Sequence, residues 1–158
     1  MNTTTILKTI VGSVAHHLNG PNSDIDYREV YVVPTVELLK VNPPHPKNTQ
    51  QHHLMDVDGK GMDLSRYELS HFLHMSIRSN PTVLETYRAP IVEATPEGIE
   101  LQRLFPYVWS SQYVHDAYLG YASSQKKDFE RERFGKRADH FITTYLRILY
   151  NVCEILST

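Results

Sequence analysis

The hydrophobic pattern of this chain changes period near residue 65, and this change limits the folds that the chain can adopt. Before it, short runs such as Ile6–Val11 and Ile25–Val33 are rich in β-branched and aromatic residues, which is typical of strands. From Ser65 onward, apolar residues recur at steps of three and four, as they do on one face of a helix. The pattern therefore predicts a small sheet followed by helices, which is an α+β or α/β fold.

Turn-forming residues separate the predicted strands. Asn19–Ser23 lies between the first two strands and has turn chemistry. The proline-rich stretch Asn42–Asn48 is predicted to be a loop. Asp58–Gly59 separates Leu54–Asp56 from Met62–Leu64, so we expect a hairpin and a third and fourth strand.

Local signals also mark the starts of the predicted helices. Ser65 and Glu68 have the spacing of a capping box, which predicts a helix from Ser65. Asn80–Pro81 and Thr95–Pro96 each place a capping residue before proline at a first helical position. Ser111 is predicted to cap a long helix. A final helix is predicted from one apolar stripe: Phe141, Ile142, Tyr145, Leu146, Leu149, Val152, Cys153 and Leu156.

Composition excludes several classes of protein. The chain has 16 Lys and Arg against 18 Asp and Glu, and this balance argues against a protein that coats nucleic acid without specificity. The single cysteine, Cys153, predicts a reduced thiol in the core and a reducing compartment. No apolar stretch approaches the roughly 20 residues needed to cross a bilayer, and Met1–Thr5 lacks the charged start of a signal peptide. We expect a soluble cytoplasmic protein without a membrane partner.

A pair of aspartates at the start of the second strand is the first candidate for chemistry. Asp24 and Asp26 are two residues apart, so on a strand their carboxylates share one face. Like charges so placed repel, and a divalent cation would favour both ionised forms. On spacing alone a solvated strand end is the more common interpretation. A glycosyltransferase Asp-x-Asp motif is disfavoured, because the segment before Asp24 is too short for a βαβ nucleotide-binding unit.

Gly12 and Ser13 follow the first strand and are the second candidate. A glycine beside a serine lets the backbone approach a phosphate, with the serine hydroxyl as a donor. Metal ions held by the aspartates could then bridge the phosphates of a nucleotide. Asp63, on a strand that could neighbour the pair, is the predicted third ligand and the group that takes the proton from an attacking hydroxyl.

Several separated blocks, in order along the chain, resemble the predicted nucleotidyltransferases of the DNA polymerase β superfamily. The likeness is strongest to a group that includes proteins associated with RNA repair. The blocks are Gly12–His16, Ser23–Tyr31, Asp63–Phe72, Asn80–Glu85, Gly120–Ala122 with Gln125, and Lys136–His140.

This resemblance implies a nucleotidyltransferase fold and a Mg²⁺-dependent reaction, with Mn²⁺ as the alternative metal. A nucleoside monophosphate would pass from an NTP to a hydroxyl or phosphate of an RNA or other macromolecular acceptor. Residues 1–90 would form the catalytic core, and residues 91–158 a helical part that could be incomplete at its C-terminus. By this resemblance the catalytic and metal-binding residues are Asp24, Asp26 and Asp63, and Gly12 and Ser13 bind the substrate. Arg28, Lys136 and His140 are further predicted substrate-binding residues, which lie in the resembling blocks, and Lys136 and His140 are one helical turn apart.

The sequence departs from that family pattern at His17 and Glu29, where members usually have glycine. If the first of these positions needs a positive φ, His17 would strain the loop. Two alternatives therefore stay open: a non-catalytic or antitoxin-like nucleotide-binding module of the same fold, and an enzyme that transfers AMP to protein.

Overall fold

A computed structural model describes residues 3–20, 23–45, 49–57, 60–131, 135 and 138–157. The described residues form a five-stranded sheet and seven α-helices, which confirms the predicted mixed α/β class. A short 3-10 helix covers Phe105–Tyr107. In chain order the elements are β1 (Thr4–Val11), α1 (Gly12–Ala15), β2 (Ile25–Val32), α2 (Thr35–Leu38), β3 (Gln51–Val57), β4 (Lys60–Glu68), α3 (Leu69–Ser76), α4 (Pro81–Arg88), β5 (Ile91–Ala94), α5 (Pro96–Arg103), α6 (Ser111–Arg131) and α7 (Ala138–Leu156).

The chain divides into two compact units. One comprises Met1–Ser76 and Thr82–Val108 and contains the whole sheet, and the other comprises Ile77–Pro81 and Trp109–Thr158. β5 lies beyond the predicted boundary at residue 90, and it pairs with β1 inside the sheet. The division into a catalytic core and a helical part stays a prediction.

The sheet has the strand order β3-β4-β2-β1-β5. β2 and β4 run parallel, and the other neighbouring pairs are antiparallel. Parallel neighbours need a long connection, and here it carries α2, the proline-rich segment and β3. The predicted turn at Asp58–Gly59 lies outside the described residues. Helices α3 and α4 contribute to one apolar core with the sheet, whose buried members include Leu7, Val11, Val30, Tyr67, Phe72, Val83, Leu84 and Tyr87.

β4 is longer than the sequence pattern predicts, and the predicted helix start at Ser65 is wrong. The parallel pairing with β2 continues to the pair Tyr31 and Glu68, so Ser65 lies in the strand. Helix α3 begins at Leu69 instead, and Oε2 of Glu68 accepts the N–H groups of Ser70 (2.9 Å) and His71 (3.2 Å). The glutamate thus caps the helix from the strand end, satisfying donors that the first turn leaves unpaired.

The start of α5 agrees with its sequence signal. The side chain of Thr95 accepts the N–H of Gly98 at 3.4 Å, and proline follows it at the first position of the helix. Gly98 faces β1 so closely that a Cβ added there would overlap the carbonyl oxygen of Ile6. The absence of a side chain at Gly98 is therefore what lets α5 lie against β1.

In the second unit, α6 and α7 pack against each other. The predicted stripe on α7 is wrong in part, because Leu146 is 57% exposed and Cys153 is exposed rather than in the core. The apolar residues of α7 lie on several sides of the helix, so their periodicity alone does not identify the buried face. The buried residues of the two helices are Val114, Tyr118, Ala122, Thr144, Ile148 and Ile155. Within the described residues, every helix is too short or too polar to span a membrane.

Two glycine substitutions test the packing of α5. Gly98→Ala should lower the free energy of unfolding by about 1–3 kcal/mol, because its Cβ would push α5 away from β1. Gly120→Ala in α6 is the matched control, since an added Cβ there meets no described atom within 4 Å. Alanine is the better helix former, so Gly120→Ala should raise stability by up to about 1 kcal/mol. Urea unfolding curves of the three proteins measure both effects, and equal shifts in the two variants would contradict the packing.

Candidate active site

The turn that follows β1 requires glycine at its first position. Gly12 has a φ of 69°, a left-handed conformation that glycine adopts without steric cost. A Cβ on Gly12 would overlap Oδ2 of Asp26, so the backbone here lies directly against a predicted metal ligand. Conformation and close approach both exclude a larger residue.

Asp26 and Asp63 are brought together by the register of the two parallel strands. They are partners in the β2 and β4 pairing, and neighbouring strands lie about 4.8 Å apart. Partners in such a pairing have side chains on the same face of the sheet. The prediction that a neighbouring strand brings Asp63 beside the pair thus agrees with the observed register.

Asp24 lies just before β2, which begins at Ile25, so it is not within the strand. Its carboxylate approaches the backbone of β4, because a Cβ on Gly61 would overlap Oδ1 of Asp24. Gly61 and Asp63 are two residues apart on β4 and therefore share a face. The three aspartates thus occupy adjoining rows at the junction of β2 and β4.

The carboxylate of Asp63 has a feature that suits a cation. Its Oδ1 is buried and has no hydrogen-bond partner among the described residues. Nδ1 of His52 lies 3.2 Å from this oxygen, which is an ion-pair distance only when the imidazole is protonated. A buried acceptor without a partner is costly, and oxygen ligands of this kind are those that Mg²⁺ prefers.

Within the described residues, no group of three or more Asp, Glu, His or Cys side chains is placed so that it could hold a metal ion. In nucleotide-dependent sites, Mg²⁺ usually keeps several waters and binds one or two carboxylates together with substrate phosphates. The assignment of Asp24, Asp26 and Asp63 to a metal therefore stays a prediction.

His52 is a neighbour of the site that the sequence did not reveal. It lies on β3, and its Nδ1 is 3.2 Å from Oγ of Ser65 as well as from Asp63. The pairing of β3 with β4 places His52 opposite Ser65 and Leu54 opposite Asp63. Once this register is known, the alternation of side chains along a strand places His52 on the face of Asp63. The sequence alone does not give the register.

Glu85 of α4 makes the most extensive polar contacts near the Gly12 turn. Its Oε1 accepts the N–H of Gly12 (3.3 Å) and contacts Nε2 of His16 (3.0 Å). Its Oε2 accepts Nη1 of Arg28 at 3.2 Å, and the same Nη1 donates to the carbonyl of Thr82. Hydrogen bonds to charged groups contribute about 1.5–3 kcal/mol each. Glu85 therefore ties the turn after β1, and β2, to α4.

The structure describes only some of the remaining predicted substrate-binding residues. Ser13 is partly buried within α1. Arg28 is engaged by Glu85, although a guanidinium carries five N–H donors and this contact uses one nitrogen. Lys136 lies outside the described residues, and so does the side chain of His140 in α7. The assignments of Gly12, Ser13 and Arg28 to a nucleotide stay predictions.

The first departure from the family pattern, His17, lies in a left-handed conformation. Helix α1 ends in a Schellman motif, in which Leu18 donates to Ser13 (2.9 Å) and His17 donates to Val14 (3.2 Å). This motif places a left-handed residue just after the helix, where glycine is preferred, and His17 has a φ of 55°. His17 is therefore strained, and it is exposed.

The second departure, Glu29, does not lie on the face of the aspartates. It is adjacent in sequence to Arg28 on β2 and so points to the opposite face. There it is buried and contacts Nζ of Lys8 (3.2 Å) and Nε of Arg66 (2.7 Å). Glu29 thus belongs to an ion-pair network that joins β1, β2 and β4.

Comparison with known protein families identifies the family of this chain. The model of RlaP, described as the RNA repair pathway DNA polymerase beta family, matches residues 1–157. This chain belongs to the RlaP family. The match confirms the resemblance found in the sequence blocks and places the chain in a DNA polymerase β family.

Two further proteins are similar to this RlaP member. An uncharacterized 38.9 kDa protein in the nrdC-mobD intergenic region of Enterobacteria phage T4 is 23% identical over 137 residues. That match covers 79% of this chain and 38% of the phage protein, so the chain spans well under half of that relative. The crystal structure of a nucleotidyltransferase-like protein from Exiguobacterium sibiricum 255-15 is similar over 94% of this chain and 50% of its own, with 10% identity and a TM-score of 0.44.

A substitution at His17 tests the strain at the end of α1. His17→Gly relieves a left-handed conformation that costs about 1–2 kcal/mol, but it also makes the unfolded chain more flexible by about 0.5–1 kcal/mol. We expect a net rise of about 0.5–1 kcal/mol in the free energy of unfolding, measured by urea denaturation. The control Ala15→Gly lies in the same turn without a positive φ and should only destabilise. A fall in stability for both variants would contradict the strain.

Proposed function

We propose that this protein is a Mg²⁺-dependent nucleotidyltransferase that moves a nucleoside monophosphate from an NTP to a hydroxyl or phosphate of RNA. The observation that carries the proposal is the pairing of Asp26 with Asp63 across β2 and β4, directly beside the turn at Gly12. Membership of the RlaP family supports the same class of reaction.

Each residue of the site has a proposed task. Asp24, Asp26 and Asp63 would hold the metal, which when bound offsets the negative charge of the phosphates and of the departing pyrophosphate. Ser13 would donate its hydroxyl to the triphosphate. Asp63 would accept the proton of the attacking hydroxyl, whose oxygen bonds to the α-phosphorus while the bond to pyrophosphate breaks.

RNA is the proposed acceptor because the family description names an RNA repair pathway. A protein acceptor and a nucleotide-binding module without turnover are the competing functions. His17 motivates the module, yet it lies at the far end of α1 from Gly12 and is exposed. A strained residue at that place is therefore compatible with an intact turn at Gly12. The free thiol of Cys153 is consistent with the proposed reducing, cytoplasmic location.

The metal-binding role is tested by removing one carboxylate charge. With α-labelled NTPs, Mg²⁺ and an RNA pool, Asp26→Asn should lower transfer of label at least about 100-fold. The reason is the loss of a negative charge that would balance the positive charge of the metal. Glu93→Gln is the control, since it removes an exposed carboxylate from β5 of the same sheet, outside the candidate site, and should retain transfer. Transfer by Asp26→Asn at the level of the unaltered protein would refute the mechanism.

The acceptor is tested on the labelled product itself. We expect the label to be released by ribonuclease and retained after protease digestion. Release by protease alone would assign the protein acceptor instead. Binding of Mg²⁺ and ATP in a calorimeter without transfer to RNA or protein would favour the non-catalytic module.

A further inference from the structure

The carboxylate of Glu85 occupies a position that a substrate anion could also use. It accepts the backbone N–H of Gly12, in the turn proposed to face the triphosphate. A carboxylate there has two possible roles. It could be displaced when a phosphate binds, or it could remain and hold the turn in place.

The surroundings of Glu85 favour a carboxylate that remains. Its side chain is 10% exposed, and its donors come from Gly12, from His16 and from Arg28, which is 14% exposed. Removing one partner from a buried, hydrogen-bonded charge is strongly unfavourable. A displaced Glu85 would leave Arg28 without this partner and would need a new environment for its own charge.

Gly12 lies between two carboxylates, so the contact of Glu85 with its N–H affects the rest of the site. Asp26 approaches Gly12 on one side, and Glu85 binds its N–H. A shift of the Gly12 backbone would therefore change the place of Ser13 relative to the aspartates. Arg28 shares a face with Asp26, two residues along β2, so its contact with Glu85 also couples α4 to the strand that carries the metal ligands.

We propose that Glu85 is a positioning residue of the nucleotide site, which fixes the Gly12–Ser13 turn and Arg28 so that Ser13 meets the triphosphate. This inference rests on the proposed function. It assigns the N–H of Gly12 to Glu85 rather than to a phosphate. The contribution of Gly12 is then its positive φ and the space that it leaves for Asp26.

An electrostatic role and a positioning role of Glu85 predict opposite effects of Glu85→Gln on the affinity for ATP. Loss of a negative charge near a triphosphate should strengthen binding if only electrostatics mattered. If Glu85 positions the turn, the variant should bind Mg²⁺-ATP at least tenfold more weakly. Glu85→Asp retains the charge but shortens the side chain, so a positioning role predicts a loss of affinity there too.

The experiment compares equilibrium binding of ATP and AMP, each with Mg²⁺, by isothermal titration calorimetry. The triphosphate is what the turn is proposed to hold, so both Glu85 variants should lose at least tenfold in affinity for ATP and less than threefold for AMP. Glu68→Gln is the matched control, because Glu68 is a buried carboxylate that caps α3. It should change both affinities less than threefold, and thermal unfolding monitors the folding of all variants.

The outcomes separate this inference from the proposed function. Unaltered protein that fails to bind Mg²⁺-ATP overturns the proposed function. If that protein binds ATP, either of two results overturns the role of Glu85 alone: unchanged or tighter ATP binding by the Glu85 variants, or equal losses for ATP and AMP. A loss in Glu68→Gln as large as in Glu85→Gln would show a merely structural effect and would also overturn it.

Discussion

The parallel pairing of β2 with β4 is the interaction on which the candidate site depends. A shift of one residue in this register would turn Asp63 to the opposite face. Two contacts on the same ladder set the register. Glu29 and Arg66 are register partners whose side chains meet at 2.7 Å on one face, and Val30 and Tyr67 are partners that are both buried. An ion pair on the face away from the aspartates thus helps to fix which side chains stand beside Asp26.

This arrangement explains why a buried charge is tolerated at Glu29. A buried carboxylate is costly unless it is paired and hydrogen-bonded, and Glu29 has two cationic partners, Lys8 and Arg66. Lys8 lies on β1 and Arg66 on β4, so the network spans the strands on both sides of β2. Glycine at this position would leave Lys8 and Arg66 without this carboxylate.

Sequence reasoning succeeded where the signal was local. The strands β1 and β2 and the proline starts of α4 and α5 follow from neighbouring residues. The expectation that Asp24 and Asp26 share one strand was wrong for Asp24, because β2 begins at Ile25. Sequence reasoning also failed at Ser65, because a capping-box pattern competes with a strand ladder that depends on residues far away in the chain. Glu85 lay in the block Asn80–Glu85, which was equally typical of a structural helix, and His52 had no local signal. The contacts of both with the site arise only once α4 packs on the sheet and β3 pairs with β4. Asp63 was predicted only by assuming that its strand would neighbour β2.

The same dependence on distant contacts determines how the site is held together. The described candidate residues Gly12, Ser13, Asp24, Asp26, Arg28, Asp63 and Glu85 all lie in the compact unit that contains the sheet. Their backbone positions follow from β1, β2, β4 and α4. Strand ladders fix β1 and β4 to β2, and Arg28 links α4 to β2. The negative charges at the β2 and β4 junction repel one another, so this scaffold must hold them together through contacts that lie elsewhere. The Glu29 network on one face and the Glu85 network on the other supply those contacts.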